Sequence, residues 1–277
     1  MDLFTRNSLK CSKATTTSYS TSFSLGVRML DNKFRPAIYA IYGFVRFADE
    51  IVDTFHEHDK AKLLSNFRAQ CNEAIEQGIS TNPILQSFQW AVNKYQIDHS
   101  LIDAFFKSME MDLVKKNFSK EEYQEYIYGS AEVVGLMCLK VFCQDKPEHY
   151  HTLVPPARKL GEAFQKVNFL RDMLSDQDER GRIYFPDINF SSFDEYKKTL
   201  IEKEIENDFK DSLPGIRNLN KDARLGVFLA YRYYLQLLLK IKACSPEELI
   251  EKRISVSNKK KIILLFESYF RNQLNWI

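Results

Sequence analysis

The sequence contains little of what β-sheet proteins and secreted domains need. Only 9 Gly and 8 Pro occur in 277 residues, and we find no alternating apolar and polar run bounded by hairpin turns. The five cysteines are an odd number without a C-x-x-C pair, which argues against a disulfide framework and against a structural zinc site. We therefore expect an all-α protein whose cysteines are reduced and mostly buried.

Signals for export and for membrane insertion are also missing. The N-terminal stretch MDLFTRNSLKCSK has no apolar segment between a basic start and a cleavage site. No stretch approaches the roughly 18 consecutive apolar residues of a spanning helix. The 39 Lys and Arg nearly balance the 37 Asp and Glu, which is unlike a protein that coats nucleic acid. We expect a cytoplasmic protein with no nucleic-acid partner.

What the sequence does contain is apolar residues at helical spacing. Hydrophobic residues make up 44% of the chain, enough for one large core, and no linker rich in Gly, Ser or Pro divides it. Periodicity predicts helices over 8–19, 34–55, 59–77, 82–94, 98–115, 119–143, 146–151, 155–178, 194–211, 218–243, 246–252 and 257–274. The prediction is a single all-helical domain, residues 1–277.

The stretch YGFVRFADEIVD, residues 42–53, places polar side chains on an otherwise apolar helix. At about 100° per residue, four of them fall within roughly 60° of one another: Tyr42, Arg46, Asp49 and Asp53. One interpretation is an exposed edge on which Arg46 pairs weakly with Asp49. The other is a stripe that faces a functional cavity.

A second helix repeats the pattern in LGEAFQKVNFLRDMLSD, residues 160–176, with a polar stripe of Gly161, Gln165, Asn168, Asp172 and Asp176. The D-x-x-x-D spacing stacks two carboxylates about 6 Å apart on one face. Two such faces opposed across a cavity would repel each other unless a cation lay between them. Mg²⁺ suits this role because it takes oxygen ligands and is usually completed by water and substrate phosphates. Arg46 and Arg171 would then face the phosphate.

Four stretches together resemble the squalene/phytoene synthase family, and bacterial phytoene synthases in particular. They are STSFSLGVRML (20–30), AIYAIYGFVRFADEIVD (37–53), YIYGSAEVVG (126–135) and LGEAFQKVNFLRDMLSDQDERGRIYFP (160–186). The resemblance implies one all-α isoprenoid synthase domain, the class I terpenoid synthase fold, with a central cavity. It implies Mg²⁺-dependent condensation of two geranylgeranyl diphosphates to phytoene through a cyclopropyl diphosphate, the first step of carotenoid biosynthesis.

The resemblance also assigns roles to single residues. Mg²⁺, or Mn²⁺ in its place, would be bound by Asp49, Asp53, Asn168, Asp172 and Asp176. These aspartates would act in catalysis with Tyr42 and with Arg46, which clamps the diphosphate. Substrate would contact Ser20, Ser22, Tyr126, Val134, Gly135, Gln165, Asn168, Arg171 and Tyr234.

Three details of this assignment stay open. Val134 and Gly135 match a helix break against the prenyl chain, and Tyr234 competes for its position with Tyr231 and Tyr233. Many family members read R-D-V-G-E-D where this chain reads RDMLSD, so Ser175 replaces an acid and Asp178 or Glu179 could serve instead. Without the resemblance, the Ser/Thr run at 15–24 is simply a helix end or loop.

Two further groups of residues, the paired histidines and the C-terminal stretch, lie outside these motifs. The pairs His56 and His58, and His149 and His151, are spaced i, i+2, which puts the rings on different helix faces. We expect these histidines on the surface. The C-terminal stretch NKKKIILLFESYFRNQLNWI (258–277) is basic and apolar, and an oily product must leave into a bilayer. It predicts peripheral contact with the inner face of the membrane, with Trp276 at the interface.

The product itself has alternatives. Two farnesyl diphosphates would give squalene or dehydrosqualene, and a non-catalytic relative could act as an assembly factor, although both aspartate pairs and Arg46 argue against that. A head-to-tail synthase or terpene cyclase would share the fold but lacks YAIYGFVR. Squalene formation needs a hydride from NADPH, and no G-x-G-x-x-G fingerprint is present. We expect no NADPH requirement.

Overall fold

The computed structural model describes residues 1–178, 181–186, 193–274 and 276–277, with the backbone alone at 175, 177 and 178. The helices in these ranges are α1 (Leu3–Tyr19), α2 (Thr21–Arg28), α3 (Arg35–Asp53), α4 (Lys60–Gln77), α5 (Pro83–Tyr95), α6 (His99–Val114), α7 (Lys120–Ile127), α8 (Val133–Phe142), α9 (His149–Arg171), α10 (Met173–Asp178), α11 (Glu195–Asn218), α12 (Lys221–Lys242), α13 (Pro246–Glu251) and α14 (Asn258–Gln273). A short π-helix, Tyr128–Glu132, which we call the π turn, joins α7 to α8. Within the described ranges, β structure is limited to one isolated parallel bridge between Asn117 and Ile183.

Two buried apolar clusters hold the helices together. The first is centred on α3, where the Phe44 ring stacks on that of Phe88 with centroids 3.8 Å apart. The second lies among α7, α9, α11 and α12 and includes Phe169 and Phe209. Because α3 belongs to one cluster and the end of α9 to the other, the two polar stripes lie near the boundary between them. The all-α prediction is confirmed, while the single-domain boundary 1–277 stays a prediction.

Two predicted helix boundaries were wrong because prolines lie inside helices. The helices expected at 146–151 and 155–178 are largely one helix, α9, which continues through Pro155 and Pro156 and ends at Arg171. α11 likewise passes through Pro214 and extends to Asn218 rather than ending at 211. Gly215 makes room for this packing, since a Cβ there would lie 2.6 Å from Pro156 Cβ. Tertiary contact therefore outweighs the local cost of proline.

The N-terminal helices and the π turn also differ from the prediction. α1 starts at Leu3 because Asp2 caps it by accepting a 2.7 Å hydrogen bond from Thr5 N. α2 was not predicted, and Ser20 caps it by accepting from Phe23 N at 3.1 Å. The backbone irregularity expected at Val134 and Gly135 lies earlier, in the π turn, and both residues are in regular helix.

Other general expectations can be compared directly with the structure. The four paired histidines are all exposed, as predicted. The five cysteines are free thiols, but only Cys71 and Cys143 are buried. Within the described ranges, we find no helix with the length and hydropathy needed to cross a bilayer.

Candidate active site

Arg46 lies at the centre of the first aspartate motif. Its guanidinium forms an ion pair with Glu50, is 4.0 Å from Asp49 Oδ2, and stacks over the Tyr19 ring at 4.4 Å. Its Nε is buried and has no hydrogen-bond partner among the described residues. The pairing expected of an exposed edge is therefore present but long, and the buried Nε lacks a hydrogen-bond partner.

Asp49 has an environment that disfavours its charge. Burial and, after it, the neighbouring Asp53 and Asp112 raise its pKa to about 7, against the opposite effect of Arg46. About a third of the side chain, 32%, is nevertheless exposed. Asp49 is therefore desolvated and yet can still be reached from the surface.

Tyr42 and Ser20 meet beside this motif. The Tyr42 ring stacks on Phe23 with centroids 4.6 Å apart, and its hydroxyl shares a hydrogen bond with Ser20. Burial raises the pKa of Tyr42 to about 12, so the phenol stays protonated at neutral pH. Ser22 is partly exposed on the same short helix, α2. The predicted serine segment therefore does lie next to the first stripe.

The second aspartate motif differs because α9 ends at Arg171 and Asp172 is its C-cap. Arg171 Nε donates to Asp172 Oδ1 at 2.9 Å, and Arg253 Nε donates to the same oxygen at 2.7 Å. Burial acts to raise the pKa of Asp172, but these arginines hold it below its usual range. Arg171, expected to face a phosphate, pairs here with the adjacent carboxylate.

Polar residues on the last turns of α9 meet α12. Tyr234 donates to Asn168 Oδ1 at 3.2 Å, and Asn168 Nδ2 donates to Gln165 Oε1 at 3.4 Å. The Tyr234 ring stacks on Phe164 at 4.0 Å. Among the three crowded tyrosines, it is therefore Tyr234 that lies beside the predicted α9 residues.

A buried network that the sequence reasoning missed joins the two motifs. Arg182 Nη1 is 2.9 Å from Asp53 Oδ1 and 3.5 Å from Asp112 Oδ1. The hydroxyls of Tyr126 and Tyr184 donate to Asp112 at 2.8 and 3.2 Å. Burial raises the pKa of Asp112 to about 6, against the effect of Arg182. Tyr126, predicted to contact substrate, is thus a buried member of this network.

The backbone of Arg182 extends the link to the second motif, since its N–H donates to the Asp176 carbonyl at 2.8 Å. Asp176 is buried. Arg182 and Tyr184 lie in the quoted stretch GRIYFP, but no role was given to them. Asp112 is a single acid on a buried helix, and Arg253 lies in the loop between α13 and α14. Neither residue belongs to a repeated spacing in the sequence, so no sequence motif pointed to them.

Some predicted residues lie away from both aspartate motifs, and others lie outside the residues that the structure describes. Val134 and Gly135 lie on α8, where Val134 packs against the first apolar cluster. The side chains of Ser175 and Asp178, and all of Glu179, lie outside the described residues. The alternative to Ser175 in the metal shell therefore stays a prediction.

A different carboxylate cluster has the geometry of a metal site but not its electrostatics. Within the described residues, Glu162, Glu204 and Asp208 place carboxylate oxygens within 4.8 Å of one another. Lys166 Nζ lies among them, 2.6 Å from Glu162 and 2.7 Å from Asp208. Because this buried ammonium already supplies the cation, the cluster ties α9 to α11 and has no need of a metal.

The aspartate stripes fit a hard cation better. Asp49, Asp53, Asp172 and Asp176, together with Asn168, offer the oxygen donors that Mg²⁺ prefers. Burial and the neighbouring Asp53 disfavour the charged form of Asp49 and raise its pKa to about 7, so a bound cation would stabilise that carboxylate. The Arg46 guanidinium belongs to the same motif and would face an anion bound with the metal.

Comparisons with known proteins agree with this fold. A family model described as squalene/phytoene synthase matches residues 16–260. The 15-cis-phytoene synthase of Synechocystis sp. is 28% identical, over 94% of this chain and 83% of its own. The 4,4'-diapophytoene synthase of Staphylococcus haemolyticus is 24% identical, over 88% of this chain and 90% of its own. A crystal structure of a dehydrosqualene synthase in complex with ligand has a TM-score of 0.80 at 22% identity, covering 97% of this chain and 98% of that chain, so the fold is shared.

Proposed function

Because the chain belongs to the squalene/phytoene synthase family of prenyltransferases, we propose that it condenses two geranylgeranyl diphosphates head to head into phytoene. The carrying observation is that two aspartate motifs, one with a desolvated carboxyl at Asp49 and one held by arginines at Asp172, are linked through Arg182. Head-to-head condensation of prenyl diphosphates is the chemistry of the family. The choice of the geranylgeranyl substrate and the requirement for Mg²⁺ are parts of the proposal.

The first step separates charge. Breaking the C–O bond of an allylic diphosphate leaves a pyrophosphate anion and an allylic carbocation. Mg²⁺ bound by the aspartates would stabilise the anion by neutralising its charge. Arg46 would add a guanidinium donor from its unpartnered Nε, and Ser20 and Ser22 would lie beside the same phosphates.

The arginines of the second motif would change partners when substrate binds. Arg171 and Arg253 both donate to Asp172 in the structure. If this carboxylate contributed to a cation site, its negative charge would be shared and the two guanidiniums could turn to the diphosphate. The motif would thereby supply both a metal ligand and two anion donors.

Aromatic rings would shield the carbocation from water. The stacked pairs Tyr42 with Phe23 and Tyr234 with Phe164 present ring faces near the predicted serines and asparagine, and such faces stabilise cations. The course would be a cyclopropyl diphosphate, a second ionisation, rearrangement and loss of a proton. Burial raises the pKa of Tyr42 and of Tyr234, so both phenols stay protonated, and released pyrophosphate is the better proton acceptor.

The second candidate uses farnesyl diphosphate and gives dehydrosqualene. The 24% identity to a 4,4'-diapophytoene synthase supports it, while the 28% identity to a phytoene synthase supports the first. Both products need only proton loss, so neither requires NADPH.

Product identification separates these candidates. The protein is incubated with geranylgeranyl or farnesyl diphosphate, with and without NADPH, and with Mg²⁺, Mn²⁺ or chelator, and the hydrocarbon is identified by chromatography. We expect phytoene without NADPH, with Mn²⁺ as a substitute metal, and no product after chelation. Squalene formed only with NADPH would overturn the proposal. Dehydrosqualene as the sole product would refute the chain length, and no product under any condition would favour the assembly factor.

A further inference from the structure

Beyond its lysine-rich first turn, the outward side of α14 is largely apolar. Six residues here and just beyond the helix are between 48% and 71% exposed, namely Ile262, Ile263, Phe266, Phe270, Leu274 and Trp276. We call this surface the α14 stripe. An exposed set of this size, containing two phenylalanines and a tryptophan, is unlike the scattered apolar residues of an ordinary surface.

The stripe is not the side by which α14 is attached to the protein. Leu264 and Ser268 are buried at 2% and 0% exposure, and α14 packs on α12. Ile262 and Phe266 each lie two residues from Leu264, which is about 200° around a helix. One side of α14 therefore packs on α12, while the opposite side is also apolar and lies at the surface.

Basic residues accompany the stripe. The sequence of α14, NKKKIILLFESYFRNQ, contains four basic residues and one acidic residue. The acidic one, Glu267, already pairs with Arg232 at 2.5 Å. The loop before α14 adds the exposed Lys252 and Arg253, which pair with Glu248 and Asp172. A helix with an outward apolar face, basic flanks and a terminal tryptophan has the composition of a helix that lies in a membrane interface.

The start of α14 lies beside the proposed active site. Lys261 Nζ donates to Thr21 Oγ1 at 3.0 Å, and Thr21 lies between the two predicted diphosphate-binding serines. Arg253, five residues before the helix, donates to Asp172. The stripe therefore lies next to the polar end of the site rather than on a remote surface.

We infer that the α14 stripe docks on the surface of an anionic lipid bilayer. A lipid surface is favoured over a second copy of the chain because a symmetric pairing of two such helices would bring together like positive charges. Anionic headgroups would instead complement them. This docking goes beyond the proposed condensation, and it would place the entrance for long-chain substrates beside the membrane.

Vesicle co-sedimentation tests the inference without any substrate. The wild-type protein is compared at low salt on vesicles of phosphatidylglycerol mixed with phosphatidylcholine and on phosphatidylcholine alone. We expect binding to the mixed vesicles, weaker binding to the neutral ones, and a blue shift of tryptophan emission on binding. The variant I262S/F266S/F270S should partition at least about tenfold less.

A matched control removes equally exposed apolar residues elsewhere. The variant I79S/V114S/L200S changes side chains that are 58%, 78% and 49% exposed, and it should bind like wild type. Circular dichroism and turnover of detergent-dispersed substrate should be unchanged in both variants, which keeps this test separate from the proposed reaction. If the stripe variant does not fold, K259Q/R271Q should still weaken binding to the mixed vesicles only.

Three results would overturn the inference. The first is equal vesicle binding by wild type and the stripe variant. The second is no vesicle binding by wild type. The third is a dimer in sedimentation velocity that the stripe variant dissociates while vesicles leave it intact, since the stripe would then bind a second copy.

Discussion

The two aspartate motifs share a spacing but have opposite electrostatics. On α3, Asp49 lies in an unbroken helix, and burial and neighbouring carboxylates raise its pKa to about 7. At the end of α9, Asp172 lies where the helix breaks, and two arginines hold its pKa below the usual range. The same four-residue pattern therefore produces one carboxyl that resists ionisation and one that is already compensated.

This difference indicates how the site would be assembled. The first motif gains most from a cation, because burial and neighbouring carboxylates disfavour the charged form of Asp49. The second can release arginines once a cation replaces them, so it can bind an anion as well. A single D-x-x-x-D motif would supply only one of these properties.

The largest expected effect comes from removing any one of the four carboxylate charges. D49N, D53N, D172N and D176N should each lower turnover at least about 100-fold, since each removes a metal ligand. Circular dichroism should show that the helices remain. The exposed Asp211 on α11 provides the control D211N, which should keep wild-type activity. Wild-type rates in any two of the four variants would refute the metal assignment.

The next effect concerns pH. A protonated Asp49 cannot bind a metal, and its pKa is about 7. The apparent affinity for Mg²⁺ should therefore fall up to about tenfold per pH unit below that value and level off above it. Calorimetric titration of Mg²⁺ with inorganic pyrophosphate from pH 5.5 to 8.5 measures this. A flat profile would show that Asp49 is not a ligand.

The charges of Asp49 and Asp172 should change the free energy of unfolding in opposite directions. Asp49 has a raised pKa in the folded state, so the metal-free protein binds its proton more tightly than the unfolded chain does and loses stability as pH rises from 3.8 to about 7. At pH 8, D49N should raise the free energy of unfolding by about 1 kcal/mol, and the gain should shrink at pH 5.

D172N should lower the free energy of unfolding at pH 8, whereas D49N should raise it. The pKa of Asp172 is lowered, so its contribution is present at pH 8 and is lost in acid. Removing it leaves Arg171 partly buried without this partner, which should lower the free energy of unfolding by about 1–2 kcal/mol. Urea unfolding in chelator measures both variants, and shifts of equal sign would contradict the comparison.

The smallest effect is expected for R253Q. Arg253 is 66% exposed, so its contribution to anion binding is screened. We expect about threefold weaker binding of inorganic pyrophosphate in the presence of Mg²⁺. K240Q, on the exposed end of α12, is the matched control. A loss as large as that of the aspartate variants would mean that Arg253 is buried against substrate.

The sequence predicted the features that depend on local periodicity. The stripe on α3 and its apolar flanks follow from spacing within one helix, while the family resemblance assigned Asp172 to the same site, an assignment that stays a prediction. The contacts of Asp112 and Arg182 could not be predicted this way, because they join α6, α3 and the segment after α10. The passage of α9 through Pro155 and Pro156 depends on Gly215 of another helix, which no local signal indicates.

The ends of the two helices add a charge that belongs to no side chain. α3 ends at Asp53, so the negative end of its dipole, equivalent to roughly −0.5 of a charge, lies at this motif, where the Val52 carbonyl accepts from Lys60 Nζ at 3.0 Å and from Arg182 Nη2 at 3.4 Å. At Asp172 the start of α10 follows immediately, and its positive end opposes the negative end of α9. The backbone thus repeats the asymmetry of the side chains, and substitutions that neutralise Asp49 and Asp53 would still leave a weak attraction for cations at the end of α3.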